Sequence, residues 1–170
     1  MDSVAWYAVH VRSNQERVAA DHIRASGVEV FLPTYRAPSL RTDRKVLLDR
    51  PLFSGYLFVR LAERQPERVD VLRAPGVVRI VGFGGAAVPV PDETMKSLKI
   101  LVGGASEQAR PHPLVQAGRR VVVMDGPFTG AIGVIHDSAD RQHRLVVEVE
   151  FLGRAVAVPI EPDQVKLLFD

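Results

Sequence analysis

The stretch from Val102 to Gly118, "VGGASEQARPHPLVQAG", constrains the fold of this 170-residue chain more than any other. Two adjacent glycines, two prolines and few bulky residues before Leu114 make a poor helix or strand and a good connection. Before it, strand-like segments alternate with helix-like ones; after it, short strand-like runs follow one another without a helix. The chain is therefore expected to fold as two units, residues 1–103 and 116–170, joined by a linker at 104–115.

In the first unit "WYAVHV", Trp6 to Val11, reads as a strand. Ser13 with Glu16 three residues later is a capping-box start for a helix that Gly27 ends. "VEVFLP" returns as a strand. Arg36 to Arg50 is a basic, Pro-containing excursion read as a loop or hairpin, in which Arg41, Arg44 and Lys45 form one possible electrostatic contact. The strand "PLFSGYLFVRL" follows, then a helix that opens near Pro66 and stops at Pro75-Gly76. After the strand "VVRIVGF", Asp92 caps a third helix with an apolar stripe of Met95, Leu98, Leu101 and Val102. This order predicts an α+β fold, a ferredoxin-like split βαβ domain. The second unit, with "RVVVMD", "AIGVIHD", "RLVVEVEFL", "AVAVPI" and "QVKLLF" between turns, predicts a small five-stranded, SH3-like β-barrel.

A chain that is 46% hydrophobic and 25% charged is globular, not disordered. No apolar run approaches the roughly 20 residues of a membrane span, and "MDSVAWYAVH" lacks the features of a signal peptide. A cytoplasmic protein without membrane contact is expected. The absence of cysteine removes disulfides, thiolate zinc sites and cysteine nucleophiles. Charge is uneven: residues 1–115 sum to +4 and residues 116–170 to −2. There is no P-loop, no G-x-G-x-x-G after a strand and no G-x-S-x-G, and "GFGGAA" at Gly82 lacks their context. His136, Asp137, Asp140 and His143 fall across a hairpin turn and read as a polar loop in place of a metal site. No enzyme, cofactor or metal is expected.

Two features call for a different explanation. Along "LFSGYLFV", alternation sends Phe53, Leu57 and Val59 to one face and Tyr56 and Phe58 to the other, so both faces are apolar. Either the strand is buried on both sides or one face waits for another protein's helix. In "GRRVVVMDGPFTGAIGVI", Gly126 and Pro127 build a turn that holds the large aromatic Phe128. That ring either plugs the barrel end or serves as a preorganised anchor.

Taken in order, "WYAVHVRSNQE", "PLFSGYLFV", "GVVRIVGFGG", the Gly-Pro-Phe segment and "FLGRAVAVPIEPDQV" resemble the NusG family of transcription elongation factors along essentially the whole chain. The family pairs an NGN domain with a KOW-containing β-barrel. The resemblance implies docking of the NGN domain on the β′ clamp helices of RNA polymerase through Phe53, Tyr56 and Phe58, with Tyr7 and Leu98 beside them. It also implies that Phe128, Thr129, Ile132 and Arg154 of the barrel meet ribosomal protein S10 or the termination factor Rho. Arg12, Asn14, His22 and Arg73 are candidates for contact with the non-template DNA strand. "FLPTYR" and "PLFSGYLFV" are closer to specialised RfaH-like and polysaccharide-operon paralogues than to the housekeeping factor. Ser54 departs from the usual proline, and Glu67, Arg68 and Val69 stand where an RfaH-like protein has His-Thr-Thr.

An RNA-binding or ribosome-associated protein using the KOW barrel is the alternative. The acidic balance of the barrel and the aromatic strand speak against it. An oligomerisation module built on the same strand is a third reading, whereas the elongation-factor reading expects a monomer.

Overall fold

A computed structural model describes residues 4–39, 46–62, 66–83, 86–103, 108–115, 118–137 and 142–168. The elements begin β1 (Val4–Val11), α1 (Glu16–Ala25), β2 (Glu29–Phe31), β3 (Thr34–Pro38), β4 (Leu47–Pro51), β5 (Tyr56–Ala62), α2 (Pro66–Arg73) and β6 (Val77–Ile80). They continue with β7 (Gly82–Phe83), β8 (Ala86–Ala87), β9 (Pro89–Val90), α3 (Asp92–Gly103) and β10 (Arg110–His112). The last strands are β11 (Arg119–Val123), β12 (Ile132–Asp137), β13 (His143–Val149), β14 (Arg154–Pro159) and β15 (Val165–Leu167). The chain divides into two compact units, Met1–Thr34 with Phe53–Asp92 and Tyr35–Leu52 with Glu93–Asp170. The division thus groups the β3–β4 hairpin and nearly all of α3 with the barrel strands, whereas the sequence suggested a break after residue 103.

The first unit is organised by β1. It pairs antiparallel with β5 from Val4↔Ala62 to His10↔Tyr56, and its other edge carries β6 and β9. The sheet runs β2-β5-β1-β6 with β9 also on β1, and the chain order of those four strands with α1 and α2 is the expected ferredoxin-like βαββαβ. Alternation places Tyr7, Val9 and Val11 of β1 with Leu57, Val59 and Leu61 of β5 on one face. Ala19, Ala20 and Ile23 of α1 and Val71 of α2 complete that core.

Helix α1 does not start as the sequence suggested. Its N-cap is Gln15, without a side-chain cap, so the expected Ser13–Glu16 capping box is absent. The reason lies in the preceding turn, where Asn14 adopts φ 66°, a left-handed conformation that asparagine tolerates better than most residues. The Arg12 amide meanwhile donates to the Gly76 carbonyl at 2.8 Å, so the chain leaves β1 toward the α2–β6 turn and Ser13 stays outside the helix. Pro66 and Pro75-Gly76 delimit α2 as expected. The basic excursion is a two-stranded hairpin, β3 with β4, in which Arg36 meets Asp49 at 3.7 Å. Arg41, Arg44 and Lys45 lie outside the described residues.

The second unit contains a six-stranded sheet in the order β10-β14-β13-β12-β11-β15, one strand more than expected. Five strands match the predicted runs; β13 is shorter, because residues 150–152 form a 3-10 turn that Gly153 ends at φ 66°. The sixth strand is a correction to the linker. Arg110–His112 pairs with Ala155–Ala157, and the Val115 amide donates to Glu148 Oε1 at 3.1 Å. The physical reason is the second apolar face of the barrel sheet: Val146, Ala155 and Ala157 are buried with Val115 packed against them, so the connection is held as a covering segment.

Gly133 shows how tightly β12 and β13 approach. A Cβ at this position would lie 2.5 Å from the Val146 carbonyl oxygen, which the ladder holds in place. Gly133→Ala is expected to destabilise the barrel by about 1–3 kcal/mol through forced separation of the strands; denaturant unfolding monitored on barrel resonances checks this.

Candidate functional site

The face of the first sheet opposite α1 and α2 carries a row of aromatic rings. Trp6 and Phe31 meet edge to face at 6.4 Å, Phe31 and Phe58 lie 6.1 Å apart, and Phe53 and Phe58 meet edge to face at 5.2 Å. The register places Ala8 opposite Phe58, which explains the room for large rings here. Phe53, Phe58 and Trp6 are buried, whereas Tyr56 is half-buried with its ring 5.3 Å from that of His10. Tyr56 and His10 thus form the open rim of a face floored by phenylalanines.

Three placements differ from the sequence reading. Phe53 joins the Phe58 side, not that of Leu57 and Val59: it precedes β5, across a turn where Gly55 has φ 85°, so strand alternation does not extend to it. Tyr7 sits with Val9 and Val11 in the core beneath the helices, because odd positions of β1 face that way. Leu98, on α3, is fully buried.

Of the polar candidates, Arg12, Asn14, His22 and Arg73 are all exposed. The Arg12–Gly76 bond joins the loop of Arg12 and Asn14 to the turn that follows Arg73. His22 lies in the last turns of α1, away from that loop junction along the helix.

On the barrel, the connection between β11 and β12 is longer than the three-residue turn that the sequence suggested. Residues 124–131 are held by Gly130 N–H to Val123 O at 2.8 Å, Ala131 N–H to Phe128 O at 3.1 Å and Thr129 Oγ1–H to Gly126 O at 2.6 Å. This folding turns Phe128 inward: it is only 2% exposed, while Met124, Pro127 and Thr129 form the outer surface. Of its two open roles, Phe128 fills the plug. Ile132 is half-buried, and Arg154 is exposed at the start of β14, toward the same end of the sheet.

Sequence reasoning missed what α3 contributes here. Ser97, 1% exposed within the helix's apolar stripe, accepts a hydrogen bond from the Ile132 amide at 2.9 Å, and Glu93 pairs with Arg120. A buried hydroxyl beside Met95, Leu98 and Leu101 was the available signal, since such a group requires a partner. At the opposite end of the barrel His143 Nδ1 is hydrogen-bonded to Asp137, which orients the ring. Among the described residues no group of three or more His, Cys, Asp or Glu side chains is arranged to hold a metal; Asp140 lies outside them.

Phe128→Ala is expected to cost about 3–5 kcal/mol of barrel stability, as removal of a buried ring does, whereas Thr129→Ala leaves the midpoint of denaturant unfolding nearly unchanged. Ser97→Ala removes the acceptor of the Ile132 amide and is expected to cost about 1–3 kcal/mol. Faster hydrogen exchange at Ile132 than in the native chain is its specific readout.

Comparison with known proteins agrees with this architecture. The family model described as "Transcription termination factor nusG" matches residues 4–99. The transcription termination/antitermination protein NusG of Vibrio cholerae is 32% identical over 96% of this chain and 95% of its own. Its counterpart from Thermus thermophilus is 31% identical over 96% of this chain and 98% of its own. The solved structure of Thermotoga maritima NusG, described for its domain interaction, superposes with a TM-score of 0.58 at 25% identity, covering 98% of both chains. The two-part α+β fold, the aromatic sheet face and these likenesses together lead to one assignment: the chain belongs to the NusG family of transcription termination/antitermination proteins, which are not enzymes.

Proposed function

We propose that this chain binds RNA polymerase at the β′ clamp helices through the aromatic face of its first unit and modulates pausing, termination or antitermination without making or breaking a bond. The observation that carries the reading is the row Trp6–Phe31–Phe58–Phe53 with Tyr56 and His10 at its rim. Of these rings Phe31, Tyr56 and His10 are only half-buried, and aromatic groups braced in this way give a partner contact area at small entropic cost, which suits capture of an apolar helix surface. Phe53 and Phe58 set the floor, and Tyr56 is the first contact.

Arg12, Asn14 and Arg73, exposed around the Arg12–Gly76 junction, suit phosphate and base-edge contacts to the non-template strand, with His22 further along α1. The barrel end that bears Thr129, Ile132 and Arg154 is the surface for a second partner, Rho or ribosomal protein S10. Phe128 supports that surface from inside. The place of action is the cytoplasm; no helix among the described residues is long and apolar enough to cross a membrane.

The test is binding of the full chain to an isolated β′ clamp-helix fragment. Tyr56→Ala is expected to weaken binding by at least about tenfold, the effect of removing an aromatic contact of roughly 1.4 kcal/mol or more, with an unchanged unfolding midpoint. Phe58→Ala is the wrong probe, since loss of a buried ring costs about 3–5 kcal/mol of stability. Absence of binding by the native chain would sink the reading.

A further inference from the structure

Strand β6, at the edge of the first sheet, breaks its own alternation. Its ladder with β1 pairs Ile80 with Val9 and Arg79 with His10, then Val77 with Val11, so Val78 is one residue too many. Val77 and Ile80 both pack against the core beneath α1 and α2, although three positions apart they would point to opposite faces of a regular strand. The bulge therefore turns the two residues between them, Val78 and Arg79, away from that core together. They arrive on the side of His10, which is the side of the aromatic rings.

The result is a row across three strands. Tyr56 of β5, His10 of β1 and Arg79 of β6 stand opposite one another, with Val78 beside Arg79. Tyr56 and His10 are half-buried, Val78 is 50% exposed and Arg79 is exposed. Arg79 makes no ion pair among the described residues, in contrast to Arg60 on the same face, which meets Glu29 at 4.0 Å. An exposed valine next to an unpaired guanidinium offers a partner an apolar contact and a charge side by side, as interfaces do where the packed centre passes into the polar rim.

We propose that Val78 and Arg79 extend the docking face to the sheet edge, and that the helix seated there carries a carboxylate which Arg79 holds. The inference rests on the polymerase reading and adds to it a residue that sets the register of the docked helix. Neighbouring strands lie about 4.8 Å apart, so Tyr56 and Arg79 are separated by about 10 Å at the backbone. A helix rises about 1.5 Å per residue and returns to the same face after about seven, so the residue over Tyr56 and the carboxylate at Arg79 are about seven positions apart. Charge decides against an apolar or basic occupant at this end, because such a group would strip water from the guanidinium and put nothing in its place. Val78 speaks for a protein partner, since an aliphatic side chain gives a phosphodiester nothing to hold.

The experiment measures binding of the full chain to the β′ clamp-helix fragment for Arg79→Ala, Arg79→Glu, Arg79→Lys and Val78→Thr, with Tyr56→Ala alongside. Arg79→Ala is expected to weaken binding about fivefold at low salt and less than about twofold at roughly 1 M salt, where the screening length is about 3 Å. Arg79→Glu weakens it further, Arg79→Lys keeps part of the affinity, and Val78→Thr costs about twofold, all at unchanged unfolding midpoints because both side chains are exposed. Each Asp and Glu of the fragment is then changed to Asn or Gln in turn. One of these changes is expected to abolish the effect of Arg79→Ala, and it lies about seven positions from the fragment residue coupled in the same way to Tyr56. Weakening by Tyr56→Ala while Arg79→Ala and Arg79→Glu leave binding unchanged would overturn the inference and leave the polymerase reading intact; a native chain that does not bind overturns both. Loss of single-stranded DNA affinity in Arg79→Ala with undiminished clamp binding assigns the residue to a nucleic-acid contact and also overturns the inference.

Discussion

A strand with apolar side chains on both faces can satisfy them only from the middle of a layered structure, and β1 meets this condition along its length. Tyr7, Val9 and Val11 close one core with α1 while Trp6 and Ala8 join the aromatic row, and all of them are buried. Three other strands take their register from β1. The ladder with β6 slips between His10 and Val11, and beyond that point the backbone bonds turn to loops: Val11 to Gly55 and Arg12 to Gly76. The exposed polar groups Arg12 and Asn14 therefore begin where two-sided burial ends. The same strand that fixes the aromatic face fixes the loop beside it.

The barrel obeys the same constraint by different means. β13 and β14 send Leu145, Val147, Val156 and Val158 to one side and Val146, Ala155 and Ala157 to the other, all of them buried. Among the described residues β10 lies at the edge of the outer side and Val115 packs on its surface. Because the strands run antiparallel, this leaves two ends with unlike chemistry: one presents Thr129, Ile132 and Arg154, and the other places Arg119, Asp137 and His143 on one face of the sheet.

Much of the architecture was legible because local chemistry and tertiary packing agree. Pro66, Pro75-Gly76 and Gly27 delimit helices by backbone restriction alone, and the five barrel runs are β-branched between turn residues. The misses arise where a residue's role depends on contacts distant in sequence. Arg110–His112 is too short and too proline-bearing to read as a strand, although the consecutive apolar residues of "RLVVEV" and "AVAVPI" already implied a cover for their outer side. Phe53 was assigned by alternation across a turn that breaks it. Phe128 was read as the tip of a tight turn, but an eight-residue connection folds it inward.

The late position of β10 in the pairing scheme has a consequence in time. β13 and β14 are neighbours along the chain and can zip from the Gly153 turn, whereas Arg110 and His112 must find Ala157 and Ala155 across most of the barrel sequence. Contacts that close such long loops form after local ones and open before them. β10 thus joins the barrel after the β13–β14 hairpin and leaves before it, so His112 departs from His136 whenever that edge frays, while the hairpin is still intact.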